Sequence, residues 1–267
     1  MNDDSLASQQ WPELLEKIRA RTPARLLQGR VGASYRTVTQ LELRQAHAAA
    51  RDAVGDELDL AQFAPDFLKQ WQLFEVCSQA KSKEEYLLHP GLGRTFSEAS
   101  RSTLVNRCTL RNDLQIAIGD GLSVTAIYKE VPKLLPLLHA GAKARGWKIG
   151  GIFVVRHCRV GILNDIGELL APSVAVLLIG ERPGLATAES LSAYMAYMPH
   201  RTQTDADRNL VSNIHARGLS PAEATDRILN LAAQMMKLGL SGSRLTPNLG
   251  ALHGEARTNA IETNRTS

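Results

Sequence analysis

Two opposite charges, Glu181 and Arg182, stand between Gly180 and the run Pro183-Gly184-Leu185, directly after the apolar stretch Val174–Ile179. Aliphatic and β-branched residues halted by glycine and proline read as a strand buried on both faces and ending at its carboxyl side. Open α/β sheets bind ligands beyond the carboxyl ends of their strands. The charged pair therefore either meets a ligand or partner, or forms a strand-end ion pair that satisfies backbone groups. A second stretch, Gly119-Asp120-Gly121-Leu122-Ser123, follows Leu114–Ile118. Its glycines let backbone come close to a ligand, and the N–H groups of a following helix favour anionic or carbonyl groups. The spacing departs from G-x-G-x-x-G, and Asp120 would repel a pyrophosphate, which argues against a nicotinamide cofactor. Asp120 or Ser123 would serve equally well as the cap of that helix.

Other chemistry-bearing residues are less organised. His157 and Cys158 are neighbours, and adjacent side chains on a strand point to opposite faces. No CxxC or HxxxH spacing supports a zinc site, and no G-x-S-x-G elbow supports a serine nucleophile. The seven histidines are scattered and read as surface or helix-packing residues. Asp205-Ala206-Asp207-Arg208-Asn209 and Val211-Ser212-Asn213-Ile214 form a dense polar stretch. It reads either as an Asx-rich structural loop or as a loop offering amides and carboxylates to a polar ligand.

The elements that must position these residues divide the chain. Residues 10–58 read as helical, opened by Trp11-Pro12-Glu13 with Leu14, Leu15 and Ile18 on one face. A second helix covers Gln40–Val54 with Leu41 and Ala48 inward, after a turn at Gly29-Arg30-Val31-Gly32. Leu73–Ser78 is a short strand, followed by Glu84–His89 and another turn at Pro90-Gly91-Leu92-Gly93-Arg94. From Leu110 strands and helices alternate: Leu114–Ile118, a helix over Val124–Ala144, then Gly151–Val155, Val174–Ile179 and the weaker Leu191–Met198. Pro132 and Pro136 predict a kink or a late start in that helix. Ser220 and Pro221 mark the N-cap and first position of a helix over Ala222–Leu238. This alternation is α/β, with a mostly parallel sheet and an N-terminal helical extension. The expected division is a helical region with a short strand over 1–109, an α/β domain over 110–246, and a polar, aperiodic, disordered tail over 247–267.

The 267 residues suffice for a sizeable core, and 44% hydrophobic with 22% charged residues is ordinary for a globular protein. A net charge of +4, without a basic run or aromatic stacking platforms, argues against an RNA-binding module. No apolar stretch is long enough to span a membrane, and the polar, acidic start lacks the layout of a secretory signal. Three widely spaced cysteines (Cys77, Cys108 and Cys158) fit a reduced, cytoplasmic setting.

Six stretches in order resemble the small (light) subunit of ethanolamine ammonia-lyase. They are Gly29-Arg30-Val31-Gly32; Tyr86-Leu87-Leu88 with Pro90-Gly91-Leu92-Gly93-Arg94; Asp120-Gly121-Leu122-Ser123; Asp165-Ile166-Gly167-Glu168; the run Gly180 to Leu185; and Ala206-Asp207-Arg208 with Ser212-Asn213-Ile214. The resemblance spans about residues 20 to 246. It implies a Rossmann-like core and a hetero-oligomer with a large subunit, a TIM barrel that holds the substrate. The implied enzyme uses adenosylcobalamin to convert ethanolamine to acetaldehyde and ammonia by radical chemistry, and the small subunit covers cobalamin at the interface. Such a chain needs no nucleophile or general base of its own.

Family contacts to cobalamin carry over to Val160, which follows Arg159, to Glu181 and to Leu210. The family commonly has cysteine at position 210, so leucine keeps a backbone contact there and loses a thiol one. The D-x-H-x-x-G motif of enzymes that ligate cobalt through a protein histidine is absent, so this chain is expected not to ligate cobalt. Some family members enter a bacterial microcompartment; the short N-terminal extension leaves that open. The competing expectation is a stand-alone nucleotide-binding α/β enzyme built on the Gly119–Ser123 turn.

Overall fold

The computed structural model describes residues 7–21, 29–184 and 187–245. The expected tail over 247–267 lies outside the described residues. Helix α1 (Ala7–Arg21) comes first; it opens ahead of Trp11-Pro12-Glu13, which lies inside it. The turn at Gly29–Gly32 belongs to a small hairpin of β1 (Arg30–Val31) and β2 (Ser34–Tyr35), with Arg30 paired to Tyr35. Helix α2 (Thr37–Gly55) follows. Its expected inward residues are not inward: Leu41 is 58% exposed and Ala48 is exposed, whereas Thr39 and Ala53 are buried. The helix touches α6 only sparingly, and most of its length is left exposed by the described residues.

The body of the molecule is one six-stranded sheet. In chain order its elements are α3 (Pro65–Trp71), β3 (Phe74–Cys77), α4 (Lys83–Leu88), α5 (Glu98–Arg107), β4 (Leu114–Gly119), α6 (Val124–Ala144), β5 (Phe153–Arg156), α7 (Ile162–Leu170), β6 (Val174–Gly180), β7 (Leu191–Tyr197), β8 (Asn209–Ile214) and α8 (Pro221–Leu238). The strand order is β3-β5-β4-β6-β7-β8. The first four run parallel, and β7 and β8 each run antiparallel to the strand before them. Residues before position 110 thus supply the edge strand β3, paired to β5.

Every residue of β4 and β6 is buried, as expected of strands covered on both faces. Leu114, Ile116, Ile118, Val176 and Leu178 face α6 and α8, and Ala117, Phe153, Ala175 and Leu177 face α7. That two-residue alternation divides the core into two layers. Helix α6 starts at Val124 and runs through Pro132 and Pro136 to Ala144 without a late start. Each proline costs about 3 kcal/mol in a helix interior. The burial of Ile127, Val131, Leu134, Leu135 and Leu138 on the sheet offsets that cost. Helix α8 carries the expected cap, in which Ser220 Oγ accepts from Glu223 N while the Glu223 carboxylate accepts from the Ser220 N–H.

Four elements were invisible to periodicity. Helices α3, α5 and α7 are short, and β8 falls in the polar stretch read as a loop. That stretch is a short 3-10 turn at Asp205–Asp207 followed by an edge strand, where exposed positions tolerate Asn and Ser.

Candidate binding cleft

From β4 the chain departs through α6 toward β5, and from β6 it departs to the other side toward β7. Divergent connections of this kind open a crevice between the carboxyl ends of β4 and β6. Two glycines let the strand ends approach there. A Cβ on Gly180 would lie 2.0 Å from Ser123 O, and one on Gly121, whose φ is +58°, would lie 2.3 Å from Gly180 O. The Leu122 N–H donates to Gly180 O at 3.2 Å, tying the two turns together.

Above them lies a cleft of about 390 Å³, lined by residues from six segments, among them Tyr86, Arg159, Val160, Glu181, Tyr194 and Leu210. All three residues carried over by resemblance, Val160, Glu181 and Leu210, face this one space. Leu210 lies across from Tyr194 in the β7–β8 ladder and is 46% exposed. The Glu181 carboxylate is anchored to its own sheet and makes no ion pair with Arg182. Ser192 Oγ donates to Glu181 Oε1 at 2.6 Å and the Asn213 N–H donates to the same oxygen at 2.9 Å.

Beneath the cleft is a buried polar clamp built on Asp120, one of the two residues that the sequence offers as a cap of α6. The Asp120 carboxylate accepts from the His157 N–H at 2.8 Å and from the Cys158 N–H at 2.7 Å. Lys83 Nζ stands 3.9 Å from Asp120 Oδ2 and donates to Gly121 O at 3.3 Å. The Tyr86 hydroxyl is 2.9 Å from Cys158 O and 3.0 Å from Gly121 O, with one proton to give to either. Burial pushes the Asp120 carboxyl up, against the pull of Lys83 and the two N–H groups; burial likewise lowers Lys83 despite Asp120. Capping of α6 falls to Ser123, whose Oγ accepts from Ala126 N.

Two expectations need correction here. His157 and Cys158 do not sit on a strand with opposed side chains. β5 ends at Arg156, His157 adopts φ +55°, and both N–H groups turn to one carboxylate. Nor are the histidines all surface or helix-packing residues: His157 is buried against Ala80 O at 3.1 Å, and buried His215 meets Asn213 Oδ1 at 2.7 Å. Lys83 and Tyr86 lie three residues apart on α4, but Asp120 is more than thirty positions further on, so no local spacing could have joined the three. Ser192 and Tyr194 were missed for another reason, being alternate residues on one face of a strand whose partner was not recognised.

The turn after β4 leaves little room for a nucleotide phosphate. Gly121 O is held by Lys83 and approached by Tyr86, Leu122 N is bonded to Gly180 O, and the Ser123 hydroxyl donates to Ala188 O.

These features define a Rossmann-like α/β chain with a cleft at the switch point of a mixed sheet. Residues 12–246 match the family described as Ethanolamine ammonia-lyase light chain (EutC), and the chain belongs to that family. It is 42% identical over 229 residues to the ethanolamine ammonia-lyase small subunit of Fusobacterium nucleatum, covering 86% of this chain and 76% of that one. The small subunit of Clostridium perfringens is 40% identical over 226 residues, 85% of this chain and 75% of its own. That of Clostridium acetobutylicum is 40% identical over 233 residues, 87% of this chain and 94% of its own. Among the described residues no helix is long and apolar enough to cross a membrane.

Proposed function

We propose that this chain is the non-catalytic small subunit of an adenosylcobalamin-dependent ethanolamine ammonia-lyase, and that it holds one edge of the cofactor. The observation that carries the reading is the convergence of Val160, Glu181 and Leu210, from three separate segments, on one cleft at the carboxyl end of the sheet. The donor set suits a corrin fringed with amides. Glu181 offers a fixed acceptor, the Val160 segment offers backbone, and Ile179, Tyr194 and Leu210 offer apolar surface. A cleft of about 390 Å³ lies near the small end of the roughly 300–1,000 Å³ typical for drug-sized ligands. A corrin is larger than that, so the rest of its surface falls to a partner, the large TIM-barrel subunit. When bound, the cofactor supplies the radical chemistry that turns ethanolamine into acetaldehyde and ammonia. This chain binds, orients and shields.

The uncovered apolar residues of the N-terminal segment agree with a subunit role. Val31, Val38 and Leu41 are each more than half exposed, and Leu14 nearly so. A surface of that kind marks an interaction site.

The test is co-purification with the large subunit of the same genome, followed by ethanolamine deamination with and without adenosylcobalamin. Activity should need both chains and the cofactor. Glu181→Ala is expected to weaken cobalamin retention about tenfold, as befits loss of a charge-assisted hydrogen bond, while the variant still folds and assembles. Unchanged retention would remove Glu181 from the site, and failure of the chains to associate would sink the subunit reading.

A further inference from the structure

Glu181 and Arg159 share the cleft, and each keeps an unused hydrogen-bonding atom. Both protein hydrogen bonds of the Glu181 carboxylate fall on Oε1, leaving Oε2 without a partner among the described residues. The Arg159 guanidinium lies over the Tyr86 ring, 4.4 Å from its centroid; its Nε is buried, and its terminal nitrogens make no hydrogen bond among the described residues. No ion pair joins Arg159 to Glu181 among the described residues, although both line the same walls. Arg182 also lines the cleft but is exposed. Arg159 is the cation held in place by packing.

A fixed anion and a fixed cation on the walls of one cleft, each with hydrogen-bonding capacity to spare, discriminate among ligand groups. A carboxylate meets repulsion from Glu181, an ammonium meets repulsion from Arg159, and an ester or ketone leaves Glu181 Oε2 without a donor. A primary carboxamide matches both, because its N–H donates to a carboxylate while its C=O accepts from a guanidinium. We infer that Arg159 and Glu181 together form a carboxamide-selective subsite, with Arg159 binding the carbonyl oxygen and Glu181 the amide N–H of one peripheral amide of the corrin. The inference rests on the cobalamin reading above and adds Arg159 as a binding residue. The Asp120 clamp beneath it, through the N–H groups of His157 and Cys158, positions the segment that carries Arg159.

The test uses the assembled large-and-small-subunit complex and measures Kd by ultrafiltration with visible absorbance. The ligands are adenosylcobalamin and its derivatives in which a single peripheral carboxamide is hydrolysed to carboxylate. The wild-type complex should bind one of these acids about tenfold or more weaker than the parent, and Glu181→Gln should recover much of that loss by supplying a donor. Arg159→Gln should weaken the parent about tenfold. Arg159→Lys should remain weak, because an ammonium does not reproduce the planar donor stacked on Tyr86. Gel filtration of each variant with the large subunit checks assembly; if Arg159→Gln does not assemble, the acid series on the wild type decides. Equal affinity of the wild type for the parent and every monoacid, or of assembled Arg159→Gln and the wild type for the parent, overturns the subsite. A wild-type complex that fails to retain adenosylcobalamin at all overturns the cobalamin reading itself.

Discussion

The N-terminal segment and the sheet both present apolar residues but resolve them in opposite ways. In β4 and β6 every side chain is buried between α6 and α8 on one face and α7 on the other. In α2 and the hairpin before it, Val31, Tyr35, Val38 and Leu41 remain exposed. The sheet is complete within one chain, so its apolar residues stabilise this fold. The N-terminal segment is left largely uncovered by the described residues, as a face that stabilises an assembly would be. Apolar spacing reports that a face wants to be covered, and only tertiary structure says whether the cover belongs to the same molecule.

The sharpest way to break the comparison is to damage the packing of the sheet itself, where the turns after β4 and β6 meet. In Gly180→Ala the new Cβ would lie 2.0 Å from Ser123 O. It should cost about 4 kcal/mol or more, as overpacking against backbone does in its severest cases. Urea unfolding of the purified chain measures this; a loss under 1 kcal/mol would mean the β4 and β6 turns are not rigidly joined. Asp120→Ala comes next. It leaves Lys83 buried without its counter-charge and frees the His157 and Cys158 N–H groups, an expected cost of about 3 kcal/mol. Partial recovery in Lys83→Met, Asp120→Ala relative to Asp120→Ala alone would assign part of that cost to the stranded ammonium.

The opposite behaviour is expected of the N-terminal segment. Val38→Asp with Leu41→Asp touches two residues that are 66% and 58% exposed, and should change the stability of the isolated chain by less than about 0.5 kcal/mol. The same pair should markedly reduce association with the large subunit in a pull-down. Full retention of association would show that the exposed apolar face is not an interface, and the contrast between the two regions would lose its functional meaning.

The smallest effect concerns the cysteines of the sheet layer. Burial pushes the Cys108 thiol up to about 11 and raises Cys158 well above its ordinary value. A thiol raised in the folded state favours folding below the unfolded value near 9, and that contribution fades as pH climbs toward 11. Iodoacetamide at pH 8 should therefore leave both cysteines of the native chain unmodified, as followed by mass spectrometry. Rapid labelling of Cys158 would show that the segment over the clamp opens readily.

The strands were legible wherever burial was two-sided. Val174–Ile179 and Leu114–Ile118 differ from the observed β6 and β4 by a single terminal glycine each. Helix α8 was legible through its cap, since Ser220, Pro221 and Glu223 act within one turn. Strand β8 was hidden because an edge strand with an exposed face can be built from Asn and Ser. Leu41 and Ala48 were misplaced because helical periodicity marks a face without naming its neighbour. Two of the three carried-over residues stand beside glycine or charge signals; the role of Asp120 beneath them did not show, because its partners are 37 and 38 positions away.

By itself the sequence determined what depends on neighbours along the chain: the buried strands, the caps, the glycine breaks at strand ends and the membership of a family. Tertiary structure alone decided what depends on neighbours in space. It converted Asp120 from a turn residue into the brace under Cys158, drew Glu181 to Ser192 and Asn213, and set Arg159 on Tyr86 beside the same cleft. The physical reason is range. Strand and cap preferences act over a few residues, whereas hydrogen bonds between loops at a sheet's carboxyl end follow strand order, which crosses over between segments distant in sequence.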